Sequence, residues 1–180
     1  EGRALEFIQE EDAFYLTGYH GGLGATFGDP DVTYEAAGSS DIFVCKVSST
    51  GTMLWTTTAG GPGIDLARDL TVDSRNDAYI TGEFESVATF GDNVLTAKEG
   101  SMEVDAYVFK VWGTGSIDFA IAAGGSGDDT GYGIHWSTTP TGGELLYVTG
   151  KYESSGEFGR FTESGISAGS TVADTFIMKL

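Results

Sequence analysis

The sequence predicts an all-β chain made of tandem four-stranded antiparallel units. Three observations carry that expectation. Blocks of sequence recur at a spacing of 63 to 69 residues. Inside each unit, apolar and polar residues alternate with the period of two that half-buried strands require. Glycine fills 28 of 180 positions, about double ordinary usage, and interrupts most stretches before a stable helix of ~12 residues could form.

The repeat is legible in five blocks that keep one order. Ala-Phe-Tyr-Leu-Thr-Gly at 13–18 returns as Ala-Tyr-Ile-Thr-Gly at 78–82 and as Leu-Tyr-Val-Thr-Gly at 146–150. Its anchors are Tyr15, Tyr79 and Tyr147, with Gly18, Gly82 and Gly150. Ala-Thr-Phe-Gly-Asp stands at 25–29 and again at 88–92, so that Phe27 and Phe90 correspond, and Phe158 remains in a shortened third copy. The segment from Asp41 to Val47 matches those beginning at Asp105 and Asp174, which aligns Lys46, Lys110 and Lys179. Thr50-Gly51 recurs as Thr114-Gly115, followed by Trp55 in one copy and Phe119 in the other. Gly60-Gly-x-Gly-x-Asp65 recurs as Gly124-Gly-x-Gly-x-Asp129. The units therefore divide the chain at 1–65, 66–129 and 130–180, about 2.7 repeats.

In the second unit, strands are expected near 66–73, 77–84, 104–112 and 117–122. Leu70 and Val72 alternate with polar neighbours, Asp73 to Asp77 is a turn, and Ala78 and Ile80 resume the alternation. The stretch from Val104 to Trp112 is apolar on both faces and rich in β-branched and aromatic residues, which suits a strand covered on both sides. The connection between the second and third strands is long enough for an extra short hairpin. Four-stranded units of this length suit the blades of a β-propeller, here an open or partial ring, because closed rings take about 4–8 blades. Other β-sandwich or solenoid arrangements are the alternative.

The succession Gly-Gly-x-Gly-x-Asp, Leu-Thr-Val-Asp-x-x-x-Asp-Ala-Tyr-Ile-Thr-Gly, Ala-Thr-Phe-Gly, Asp-Ala-Tyr-Val-Phe-Lys-Val and Thr-Gly-x-x-x-aromatic resembles the SBBP-type β-propeller repeat across essentially the whole chain. The resemblance implies blades of large secreted or cell-surface proteins of bacteria and some algae. It implies no catalytic residues. The last unit lacks a counterpart of the Leu54-Trp55 strand, so an unpaired edge is expected, a template for another strand. The chain starts at Glu1 with no basic segment leading into an apolar one. A removed signal peptide or a segment of a longer protein would both account for this.

The charge excludes several function classes. With 27 acidic against 9 basic side chains the net charge is −18, which disfavours nucleic acid and anionic membrane surfaces. No apolar run approaches the ~18 residues of a membrane-spanning helix. One cysteine, Cys45, rules out an internal disulfide, and its alignment with Phe109 and Met178 marks a core position.

The candidate site residues differ in the chemistry they could support. Asp65 and Asp129 close a glycine motif like the start of a calcium-binding nonapeptide, and Asp29 and Asp31 flank Pro30. Calcium requires an oxygen shell of 6–8 ligands, so glycine turns capped by these aspartates are the simpler expectation. Gly165-Ile-Ser-Ala-Gly169 fits the spacing of a nucleophile elbow, but that motif needs a strand-to-helix turn and a histidine. His20 and His135 are the two histidines, and neither recurs. Asp41, Asp105 and Asp174 are expected to start their strands, with Lys46, Lys110 and Lys179 reaching water at the far ends. Tyr19, His20, Trp112 and Trp136 are candidates for a glycan surface, with core packing as the simpler role. No cofactor is implied.

The expectation for function is a non-catalytic, extracellular or cell-surface scaffold. It would act through protein partners or self-association at exposed blade edges, with neither nucleic acid nor membrane insertion. A calcium- or glycan-binding module, or a fragment of a larger propeller enzyme, are the alternatives.

Overall fold

The computed structural model describes all residues except 23, 30–31, 99–102, 154 and 158–173; for 155–157 and 174 it describes the backbone. Phe158, Asp31 and the Gly165–Gly169 segment lie outside the described residues. The described chain is all-β, in four antiparallel sheets, none closed on itself.

The first sheet is a meander of β1 (Gly2–Ile8), β2 (Ala13–His20), β3 (Asp41–Ser48) and β4 (Met53–Ala59), in that spatial order. The second contains β5 (Leu66–Val72), β6 (Ala78–Glu85), β9 (Val104–Val111) and β10 (Ile117–Ser126), joined edge to edge in the same sense. A hairpin of β7 (Val87–Phe90) and β8 (Asn93–Thr96) fills the long connection. The third sheet orders β11 (Thr130–Thr138), β12 (Glu144–Tyr152) and β14 (Asp174–Lys179). The short β13 (Ser155–Glu157) leaves this unit and pairs with the far edge of β10, making the second sheet five-stranded. That fifth strand was not expected from the sequence. Its pairing is long-range, and no local pattern announces it.

Local chemistry explains the turns. Asp73 Oδ1 accepts the backbone N–H of Arg75 at 2.8 Å and of Asp77 at 3.0 Å, closing the turn between β5 and β6. Asn76 there has φ of 65°, a left-handed conformation that asparagine tolerates. The recurrent Thr-Gly after β3 and β9 places Gly51 and Gly115 at φ of 86° and 95°, where a side chain would be strained.

Two cores separate three sheets. Tyr15, Ile42, Val44 and Ala59 of the first sheet pack on Leu70, Val72, Ile80, Phe84, Tyr107 and Phe109 of the second. On the other face of the second sheet, Tyr79, Ala106, Val108 and Ala123 pack on Ile134, Leu146, Val148, Phe176 and Met178 of the third. The strand 104–111 is thus covered on both sides, which is why apolar residues fall on both of its faces. Tyr15 with Tyr79, Ile42 with Ala106, Val44 with Val108 and Ala59 with Ala123 are repeat equivalents. Each sheet offers the next one the same face.

Candidate functional site

Since the cores are built by repetition, the places to seek function are the junctions between sheets and the two outer faces. At the first junction the Tyr15 hydroxyl donates to the Asn76 carbonyl at 2.6 Å, and Trp55 Nε1–H donates to the Gly113 carbonyl at 3.1 Å. Thr57 Oγ1 donates to the Gly115 carbonyl. At the second junction Thr71 Oγ1 accepts the N–H of Trp136 at 3.2 Å, and Asp69 Oδ2 accepts that of Ile134 at 2.9 Å. Trp55 therefore docks one sheet on the next. Trp55→Ala should cost about 3 kcal/mol in chemical denaturation. Trp55→Phe, which keeps the ring and loses one hydrogen bond, should cost about 1 kcal/mol.

The hairpin after the second strand reaches backward. Thr89 exchanges both backbone hydrogen bonds with Gly60 at the end of the first sheet, at 2.8 and 3.1 Å. β13 does the same to Gly124, Gly125 and Ser126 at the end of the second. Each unit so adds an arm to the edge of the unit before it. In the first unit the equivalent arm is a single bridge, Ala25 to Tyr34. Thr26 is the counterpart of Thr89, and both side chains are exposed. Phe27 packs under the arm against Phe43 at 4.7 Å, and Phe90 does so against Tyr107 and Phe109 at 5.1 Å.

Gly18, Gly82 and Gly150 have one structural reason. A Cβ at each would overlap a carbonyl oxygen of the neighbouring first strand, that of Glu1, Leu66 or Thr130. The register shifts nearby in all three pairs, between Gly2 and Ala4, Ala67 and Asp69, and Gly131 and Gly133, as a bulge does.

The lysines correct the expectation of chains reaching water. Lys46 and Lys110 are buried, at 4 % exposure each. Lys46 pairs with Glu11 and lies 5.0 Å from the Tyr15 ring. Lys110 pairs with Asp77 at 3.0 Å and sits 3.7 Å from the centre of the Trp112 ring. Lys179, on the outer sheet, is exposed. Trp136 packs against the second core and Phe119 lies 6.4 Å from Tyr79. His20 is buried, with burial holding its pKa below the usual value. Tyr19 is linked to Glu1 and Arg3 at the chain start. These positions do not converge on a shared cleft.

Cys45 is buried with Sγ 3.3 Å from Thr56 Oγ1, and burial pushes its pKa up to about 11. Thiol reagents should label it at well under a tenth of the rate seen after unfolding in denaturant. Native labelling as fast as the unfolded rate would place the thiol at the surface.

The aspartates form pairs across each glycine turn. Asp65 Oδ2 accepts Gly61 N–H at 2.7 Å and Oδ1 accepts Glu85 N–H at 3.2 Å. Asp129 repeats this with Gly125 at 2.7 Å and Glu153 at 3.0 Å. Asp41 Oδ2 accepts Ala37 N–H at 2.8 Å, and Asp105 Oδ2 accepts Lys98 N–H at 3.0 Å. Burial, opposed by the two backbone donors and reinforced by the charges of Asp41 and Glu85, pushes Asp65 up to about 7. Burial likewise raises Asp105 and Asp129 to about 6. Asp29 lies on an exposed loop. Among the described residues, no three histidine, cysteine or acidic side chains form a metal-holding group.

These shifts set a pH dependence for metal-free protein. The three folded values exceed the unfolded value of 3.8, so between about pH 4 and 7 the folded chain binds more protons than the unfolded one. Their contribution to stability is fully present below pH 4 and is lost as pH rises through 6 to 7. In chelator, the melting temperature should be about 5 °C higher at pH 5 than at pH 8. Equal or inverted values would contradict the burial of these carboxyls.

The outer faces differ from their internal counterparts in exposure. Tyr147 and Ile177 of the third sheet are 38 % and 52 % exposed, whereas Tyr79 and Val108 are 9 % and 1 %. On the first sheet Leu5 and Phe7 are 59 % and 46 % exposed, at positions equivalent to the buried Leu70 and Val72. Comparison of the chain with protein-family models and with curated proteins gave no match.

Proposed function

We propose that this chain is a non-catalytic repeat protein of an extracellular or cell-surface assembly, its sheets acting as SBBP-type propeller blades that associate through their end faces. The observation that carries this reading is the outer face of the third sheet. Tyr147, Thr149 and Ile177 occupy the positions where Tyr15, Thr17 and Val44 bury against the second sheet, and Tyr79, Thr81 and Val108 against the third. A face built to receive a further repeat is exposed.

The opposite end supplies the complement. Leu5 and Phe7, with the Phe7 ring tilted against Phe14 at 4.7 Å, stand where Leu70 and Val72 receive the first sheet. The third-sheet face of one copy fits the first-sheet face of a second copy by the contact already made twice within the chain. A further feature favours association at the same end: the edge of β14 opposite β12 carries no strand among the described residues. Such a head-to-tail contact gives a ring where the rotation closes and a filament where it does not.

The test is the association state of Ile177→Glu. A carboxylate forced against an apolar face costs several kcal/mol, so self-association should weaken by more than about tenfold while the melting temperature stays within a few degrees. Unchanged association in this variant removes the third-sheet face from the assembly.

A further inference from the structure

We propose that the Asp41–Asp65 and Asp105–Asp129 pairs are two equivalent cation sites whose ligand is calcium. The argument begins with buried oxygen atoms that lack donors. Asp41 and Asp105 are 5 % and 1 % exposed, and Asp65 and Asp129 are fully buried. Every Oδ of Asp65 and Asp129, and one Oδ of Asp41 and Asp105, accepts a backbone N–H. The remaining atom, Oδ1 of Asp41 and Oδ1 of Asp105, is buried and accepts no hydrogen bond. A buried acceptor of this kind carries a desolvation cost that no N–H or hydroxyl donor of the protein offsets.

Both orphan oxygens point to the same place in their repeats. A Cβ on Gly60 would lie 2.9 Å from Asp41 Oδ1 and 3.0 Å from Asp65 Oδ2. A Cβ on Gly124 would lie 2.6 Å from Asp105 Oδ1 and 2.7 Å from Asp129 Oδ2. Glycine keeps the two carboxylates of each pair facing one another with no side chain between them. The second glycine of the motif, Gly61 or Gly125, donates its N–H to the aspartate that ends it. The Gly-Gly-x-Gly-x-Asp motif thus joins to an aspartate 24 residues earlier to make one oxygen-lined site per repeat.

Once both are ionised, two carboxylates facing each other carry a charge of −2, which a divalent cation neutralises. The donors shown are carboxylate oxygens, and hard oxygen donors favour calcium over zinc or copper. With two carboxylates per site, water and main-chain carbonyls must supply the other ligands. The affinity should therefore fall in the weak range of extracellular modules, on the order of 10⁻⁴–10⁻³ M. This inference does not depend on assembly: a chain that stays monomeric could still bind calcium, and an assembling chain could fail to.

The experiment compares the full chain in chelator and in millimolar calcium chloride, by thermal unfolding and by titration calorimetry. The expected result is a rise of several degrees in the melting temperature and about two equivalents of calcium bound. Asp41→Asn/Asp105→Asn should abolish both, while Asp92→Asn, an exposed loop carboxylate, should leave both intact. An unchanged wild-type melting temperature overturns the proposal, as does an equal calcium shift in the double variant. If the double variant does not fold, the wild-type titration decides. Saturation near two equivalents supports the sites, and unsaturable weak binding to the acidic surface overturns them.

Discussion

Gly82→Ala is expected to destabilise the chain by about 3–5 kcal/mol, as steric overlaps that a core cannot relax commonly do. The added methyl would overlap the carbonyl oxygen of Leu66 and come within 2.7 Å of the Tyr107 hydroxyl, which itself donates to that carbonyl at 3.1 Å. Neither neighbour can retreat. Leu66 is held by pairing with Glu83, and Tyr107 is fully buried in the first core. Gly51→Ala is the control, because a Cβ there meets nothing within 4 Å and only the positive φ of 86° opposes it. That substitution should cost about 1 kcal/mol. Equal costs for the two in urea unfolding would mean that the close approach of strands at Thr-Gly does not govern the repeat.

The second large effect is expected at Phe90. Phe90→Ala should cost about 3–5 kcal/mol, the range for emptying a fully buried aromatic site. Its ring is fully buried and lies 5.1 Å from both Tyr107 and Phe109 and 6.5 Å from Phe84. Phe90 also ends β7, whose Thr89 grips Gly60 of the preceding unit. Loss of the ring should free that arm, so hydrogen exchange at Thr89 and Gly60 should rise more than at Val108. Phe27→Ala, in the first unit where the ring is half-buried, should cost less than half as much. Equal losses at the two positions would separate the arm from the core.

The repeat made much of the fold legible before any coordinates. Tyr15, Tyr79 and Tyr147 located the second strand of each unit, and the two-sided apolar pattern of 104–112 marked a strand covered on both faces. Those signals are local and periodic, so sequence carries them directly. The backward arms were less legible, because β13 and Thr89 pair with residues about 30 positions earlier, through main-chain groups that any side chain permits. The lysine burial was hidden for a different reason. Lys46 and Lys110 recur, but their partners Glu11 and Asp77 do not occupy equivalent positions. The aspartate pairs stood in plain view as two separate recurrences, Asp41 with Asp105 and Asp65 with Asp129. Asp65 and Asp129 read as turn caps and Asp41 and Asp105 as strand starts, and most blocks of the repeat share the 64-residue spacing, so sequence alone did not join the two recurrences. The exposure of Tyr147 and Ile177 could come from coordinates alone, since their sequence positions match buried ones.

Stability across these variants follows the junctions between sheets, and the account of function rests on the same junction left open at the ends. Sedimentation velocity of the 180-residue chain across the micromolar range tests that most directly. The account predicts concentration-dependent species heavier than the 18.9 kDa chain, reduced to monomer by Ile177→Glu at unchanged secondary structure. A folded wild-type chain that sediments as a monomer throughout that range would contradict it.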